Sequence, residues 1–178
     1  MSIDFIPKES NLINDVQIII PSVSSDERGN IWSSFQESNF QNFLPNEVKF
    51  NHDKFSTSKK NVLRGIHGDT KSWKLVTCVS GKIQQVVVDF RKSSSTYKTW
   101  ESFIIDCLSP KMILIPPGVG NAYCVLSEEA VYHYKLAYEG NYFDADQQFT
   151  HSWNDKSIGI DWSIKDPILS KRDRNEIY

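Results

Sequence analysis

Apolar positions along this chain recur at every second residue more clearly than at every third or fourth. That period marks strands whose side chains alternate between two faces. Residues 74–89 (Lys-Leu-Val-Thr-Cys-Val-Ser-Gly-Lys-Ile-Gln-Gln-Val-Val-Val-Asp) read as strand, Ser-Gly turn, strand. Residues 99–106 alternate apolar and polar, and residues 111–115 form a short apolar strand closed by Pro116-Pro117-Gly118. Residues 130–137, rich in aromatic and β-branched side chains, form another. Turn residues recur at short intervals between these runs, which predicts an all-β fold of short antiparallel strands, a sandwich or barrel. Helical periodicity is weak: one short helix is expected within 35–43, and the tail after Asp166 reads as loop or a short helical turn. In the run 130–137, parity puts Tyr132, Tyr134 and Leu136 on one face and Val131, His133 and Lys135 on the other. Two inward tyrosines are either core or the wall of a pocket.

Length and charge narrow the class. The chain has 178 residues, which fits one domain spanning 1–178 with a core of its own. Lys and Arg total 20 against 22 Asp and Glu, a formal net charge of −2, which argues against nucleic acid as the main partner. A local basic pocket for a small anion remains open. Cys78, Cys107 and Cys124 contain no CxxC pair and read as small buried hydrophobes. No basic-then-apolar leader and no apolar run of ~18 residues is present, so the expectation is a soluble, cytoplasmic protein with no membrane partner.

The chemistry concentrates at Asn61-Val62-Leu63-Arg64-Gly65-Ile66-His67-Gly68-Asp69. A histidine at a strand end titrates near neutral pH and can take a proton. The nearby guanidinium suits an anion such as phosphate. The four histidines are His52, His67, His133 and His151, and none forms an HxH pair, so no metal is expected. No GxSxG elbow, Walker loop or GxGxxG occurs. What remains is metal-free acid–base work by His and Tyr with Lys or Arg holding negative charge. Such a set suits proton abstraction next to a carbonyl, and a base and an acid on opposite faces give epimerisation. Plainer readings stand beside this one. Arg64 could serve a surface ion pair, and Lys74 could be an exposed strand lysine. Trp153 and Trp162 read as core, His133 and His151 as solvated or structural, and Tyr142 as a wall residue.

These residues carry a resemblance. Leu63-Arg64-Gly65-Ile66-His67, Lys74-Leu75-Val76, Val88-Asp89-Phe90-Arg91-Lys92-Ser93-Ser94, Pro116-Pro117-Gly118, Tyr134-Lys135 and Trp153-Asn154-Asp155, in that order and spacing, resemble the dTDP-4-dehydrorhamnose 3,5-epimerases over nearly the whole chain. The resemblance implies a cupin-like jelly-roll barrel, usually a homodimer, working without metal or organic cofactor. It implies His67 as general base, Asp173 as the carboxylate that orients it, Lys74 as the cation beside the ketone oxygen, and Tyr134 as the acid opposite. Arg64 and Arg172 match residues that touch a nucleotide diphosphate, and Arg28 would contribute from a neighbouring segment or subunit. Asn51, Asn121 and Tyr138 complete the expected substrate-binding set.

The chain also departs from the rhamnose pattern. Gly68-Asp69 follows the histidine where Tyr-Gln is usual, Asn121 stands for a histidine after the Pro-Pro-Gly turn, Ser33 stands for a glutamate, and 49–55 replaces a Gln-Asp-Asn segment. With Lys74-Leu75-Val76-Thr77-Cys78-Val79-Ser80-Gly81, this variant pattern looks closer to a branch acting on GDP-linked 4-keto-heptoses in bacterial capsule synthesis. The expected substrate is therefore a GDP-4-keto-heptose, with or without a 6-hydroxyl, inverted at carbon 3, carbon 5 or both. The alternatives are a dTDP-4-keto-6-deoxyhexose 3,5-epimerase, a 3,4-ketoisomerase and a non-catalytic sugar-binding cupin.

Overall fold

The computed structural model describes residues 4–142 and 144–174. Thirteen strands carry these residues. They are β1 (Phe5–Glu9), β2 (Gln17–Pro21), β3 (Val23–Asp26), β4 (Gly29–Trp32), β5 (Lys49–Lys59), β6 (Leu63–Gly68), β7 (Trp73–Ser80), β8 (Lys82–Asp89), β9 (Trp100–Asp106), β10 (Met112–Ile115), β11 (Val119–Val125), β12 (Glu129–Tyr138) and β13 (Phe149–Thr150). A six-stranded sheet runs β1-β2-β10-β7-β12-β5 and a five-stranded sheet runs β13-β6-β11-β8-β9. The hairpin β3-β4 stands outside both. Every strand pair is antiparallel. The all-β, cupin-like class expected from the sequence is what the chain adopts. The expected short helix is α1 (Glu37–Phe40), continued by a 3-10 turn over Gln41–Phe43.

The two sheets face each other across one apolar cluster. Val76, Cys78, Ile113, Ile115 and Tyr132 of the larger sheet meet Ile83, Val87, Ile105, Val119 and Tyr123 of the smaller. Strand β8 is buried along all but its first residue, Gln84, Gln85 and Asp89 included, because both its faces are covered. Val86 and Val88 turn away from the sheet interface and pack with Ile66, Ala122 and Ile158 beneath the segment 153–164. Gln84 ties that segment down through its amide, which donates to Asp161 O at 2.8 Å and accepts from Ser163 N at 2.8 Å. The outer face of β2-β10-β7 is capped in the same way by α1 and its 3-10 turn, with Ile19, Leu75, Met112 and Leu114 against Phe40 and its aromatic neighbours.

Two sequence expectations change here and a third is narrowed. Cys78 and Cys124 are buried, whereas Cys107 sits half-buried after β9, because only the first two point into covered faces. Trp153 and Trp162 are half-buried and not core: the Trp162 indole N–H donates to Trp153 O at 2.8 Å, so the pair stiffens the covering segment from its rim. His133 and His151 prove structural, His133 bonded to Asp53 at 2.8 Å and His151 stacked on Phe90 at 3.8 Å. Among the described residues no helix is long and apolar enough to cross a membrane.

Candidate functional site

A cavity of about 240 Å³ opens between the two sheets, and most of the ionisable candidates meet in it. Its lining includes His67 and Arg64 from β6, Lys74 from β7, Asn121 from β11 and Tyr134 from β12, together with Arg172 and Asp173. A roomier groove of about 470 Å³, walled by Phe35, Phe40, Leu44 and Phe50, lies elsewhere and gathers no such set of ionisable side chains, so the chemistry belongs to the smaller cavity.

His67 and Asp173 lie 106 residues apart in sequence yet 2.6 Å apart in space, through His67 Nε2 and Asp173 Oδ1. The backbone brings them together. Ile168 pairs in parallel with Val62, its N–H donating to Asn61 O at 2.8 Å and its carbonyl accepting from Leu63 N at 3.1 Å. That zips the C-terminal segment to the start of β6. Ser170 Oγ then donates to Asp173 Oδ2 at 2.8 Å and fixes the carboxylate plane. Burial alone would raise the Asp173 carboxyl. The hydrogen bond and charge of His67, the Ser170 bond and the Arg172 charge outweigh it and hold the group below the usual carboxylate range. A carboxylate on Nε2 leaves the lone pair of a neutral ring on Nδ1, the arrangement of an oriented base.

Lys74 is 3% exposed and Asp69 2%, which rules out the reading of Lys74 as a surface lysine. The ammonium donates to Asp69 Oδ2 at 2.8 Å and to Ser72 Oγ at 3.0 Å. Burial pulls the Lys74 amine below its ordinary range, while the Asp69 charge resists that fall. Asp69 itself stays low: burial pushes it up, but the Lys74 charge and the bonds from Lys74 and Ser72 prevail.

Tyr134 and Tyr132 share the inward face of β12, as parity predicts, and His133 and Lys135 face outward toward Asp53. Burial and the neighbouring Tyr123 raise the Tyr134 phenol, and the Arg64 charge pulls the other way. The group therefore stays protonated at neutral pH, as an acid must. Asn121 is held by Gln85, whose amide donates to Asn121 Oδ1 at 2.6 Å, and by Tyr132 OH at 3.1 Å. Arg64 rests on Ser58 Oγ at 3.0 Å and Arg172 on Thr150 Oγ1 at 2.7 Å. Two guanidinium groups thus line the cavity, a setting for an anion.

Three expected substrate residues lie outside this cavity. Arg28 sits on the β3-β4 hairpin with its side chain 85% exposed and paired with Asp26. Asn51 falls where the β5–β12 register skips from His52 to Phe50, so a bulge leaves it exposed and unpaired in the ladder. Tyr138 lies past the same irregularity, edge-on to His52 at 6.4 Å and near Tyr142 at 4.9 Å. In their place, Lys54 and Ser56 of β5 line the cavity. Both were missed by the sequence reading, although counting by twos along 52–58 puts them on one face. Burial lowers the Lys54 amine, and its nitrogen stands 5.7 Å from the centre of the Tyr134 ring.

Comparison with known proteins gives a consistent result. A family profile described as dTDP-4-dehydrorhamnose 3,5-epimerase matches residues 10–177. The chain is 39% identical over 166 residues to the dTDP-4-dehydrorhamnose 3,5-epimerase of Shigella flexneri, covering 92% of this chain and 90% of that protein. It is 32% identical to a dTDP-4-dehydrorhamnose 3-epimerase of Streptomyces niveus, covering 93% of this chain and 80% of that one. The crystal structure of a dTDP-6-deoxy-D-glucose-3,5-epimerase from Legionella pneumophila, in complex with dTDP-4-keto-L-rhamnose, superposes with a TM-score of 0.86 at 31% identity, covering 97% of this chain and 90% of that one.

Proposed function

Since this chain belongs to the dTDP-4-dehydrorhamnose 3,5-epimerase family and is thereby a nucleotide-sugar epimerase, we propose that it inverts carbon 3, carbon 5 or both of a dTDP-linked 4-keto-6-deoxyhexose. The observation that carries the reading is the meeting, in one cavity, of an oriented imidazole, a buried ammonium and a protonated phenol. The 4-keto group acidifies the protons on its two neighbouring carbons. His67, oriented by Asp173, removes one of them, and the electrons move into an enolate. Lys74 donates a hydrogen bond to oxygen 4 as that oxygen gains charge; a preorganised donor of this kind contributes about 3 kcal/mol of transition-state stabilisation. Tyr134 delivers a proton from the opposite face, and the carbon emerges inverted. Arg64 and Arg172 hold the diphosphate. No step here calls for a metal or an organic cofactor.

A second reading is a GDP-linked 4-keto-heptose. It is favoured by the position of the departures from the rhamnose pattern: Asn121 lines the cavity, Asp69 binds its buried lysine, and Lys54 comes from the replaced segment. The names of the relatives speak for dTDP, and so dTDP leads. Support for a homodimer comes from the β3-β4 hairpin, which joins neither main sheet and leaves the Arg28 side chain 85% exposed; in a dimer that side chain would reach the partner's substrate.

Incubation with dTDP-4-keto-6-deoxyglucose and with a GDP-4-keto-heptose in heavy water, followed by NMR, tests both readings. Deuterium at carbon 3 or 5 with inversion is expected for the dTDP sugar, and label in the heptose alone would transfer the assignment to GDP. Migration of the ketone would make the protein an isomerase of another kind, and no label in either sugar would remove the epimerase reading.

A further inference from the structure

The two oxygens of Asp69 are divided between two tasks. Oδ1 accepts from Lys71 N at 2.8 Å and Ser72 N at 2.5 Å, which closes the turn between β6 and β7. Oδ2 accepts from Ser72 Oγ at 2.6 Å, Lys74 Nζ at 2.8 Å and Tyr142 OH at 3.1 Å. A turn needs only the first set. Resting on the epimerase reading above, we propose that Asp69 is a positioning residue for the reaction: its Oδ2 fixes Lys74 Nζ in the cavity wall as an ammonium with one N–H turned to the substrate's oxygen 4.

The count of donors supports this. An ammonium has three N–H groups, and two of them go to Asp69 and Ser72. The third is the one a ligand in the cavity meets. Without a counter-charge so deeply buried an amine would shed its proton. Among the described residues nothing else bonded to Lys74 supplies one. Its partners across the sheet are Ile115 of β10 and Leu136 of β12, both apolar. Tyr142, which reaches Asp69 from outside the cavity lining, has its phenol raised to about 12 by burial and stays neutral, and β6 brings His67 into the lining. The other ionisable groups lining the cavity are Lys54 of β5, Arg64 of β6, Tyr123 of β11, Tyr132 and Tyr134 of β12, and the Arg172–Asp173 pair. The cations repel an ammonium, and the Asp173 carboxylate is bound to His67 and Ser170.

Asp69→Asn separates the two tasks, because an amide oxygen still closes the turn while the amide NH2 faces Lys74 in place of Oδ2. With lysine labelled with carbon-13 at the ε position, the Lys74 signal in the wild-type protein should remain that of an ammonium through pH 8. In D69N it should report a neutral amine near pH 7. The alkaline limb of kcat should move down by at least about one pH unit, with kcat at pH 8 falling about tenfold or more and KM changing far less. Asp69→Glu, which keeps the charge, should move the limb back toward the wild-type position. An unshifted Lys74 signal and limb in folded D69N would reduce Asp69 to a turn residue. Should D69N not fold, the wild-type titration decides alone: a neutral Lys74 at pH 7.5 overturns the proposal. The amine titration needs no substrate, so it still decides on Asp69 if neither nucleotide sugar is turned over, an outcome that instead removes the epimerase reading.

Discussion

His67 illustrates how much a single side chain owes to its neighbours. Alone it is one histidine among four; with Asp173 at 2.6 Å its ring is held in one orientation, as the proposed role of base requires. His67→Asn is predicted to abolish solvent deuterium exchange at carbons 3 and 5, and exchange at the wild-type rate would sink the assignment. Tyr134→Phe should slow inversion by about tenfold to a hundredfold while leaving label uptake at the abstraction face largely intact; inverted product at full rate would point to a different acid. His67, Lys74 and Tyr134 were legible in sequence as cavity residues because short motifs carry them, and Asp173 through the family resemblance. Lys54 and Asp69 were not. Asp69 looks like turn chemistry in the sequence, and half of its hydrogen bonding is that. Its other half depends on Lys74 and Tyr142, and the latter lies 73 positions away.

Strands were legible in proportion to how much apolar surface they bury. The β7-β8 hairpin shows in the sequence because its residues are almost all covered, and its turn falls at Gly81, where φ is +81°. Strand β5 stayed hidden for the opposite reason. One of its faces looks into a polar cavity through Lys54 and Ser56, and the other is exposed at Asp53 and Phe55, so no hydrophobic period survives. Asn51 lies on the exposed parity of β5, with Asp53 and Phe55, and at the bulge, so it stands outside the lining of the cavity. Strand β6 holds His67 against β11, and it does so at close range. Gly65 has φ +127°, and a Cβ there would lie 2.5 Å from the Ala122 Cβ and 2.8 Å from Asn121 O. Gly65→Ala is therefore predicted to destabilise the protein by roughly 2–4 kcal/mol and to shift Asn121 and His67 together. Thermal melting alongside activity checks it; an unchanged melting temperature would mean the β6–β11 contact is looser than it looks.

At the scale of the molecule, several carboxylates are held ionised by the folded state. Asp89, fully buried, keeps its carboxyl at about 2 through Arg91, Ser94 and Thr96, against the opposing effect of burial. Asp173 and Asp69 are also lowered. A carboxyl depressed on folding contributes stability that is fully present above its unfolded value near 3.8 and is lost as pH falls through the folded value. The protein should thus lose stability progressively between about pH 4 and pH 2. Asp89→Asn should lower the melting temperature at pH 7 and flatten its acid dependence; an equally steep acid loss in that variant would place the sensitivity elsewhere. The segment that delivers Asp173 has a further consequence, one of timing. A ribosome that has released every strand through Tyr138 has built both main sheets except β13, yet it has not supplied the partner of His67. Assembling the sheets is thus not what orients the imidazole: the Val62–Ile168 pairing and Asp173 arrive only with the stretch of chain after β13, so the geometry of His67 is set later in synthesis than the strands that surround it.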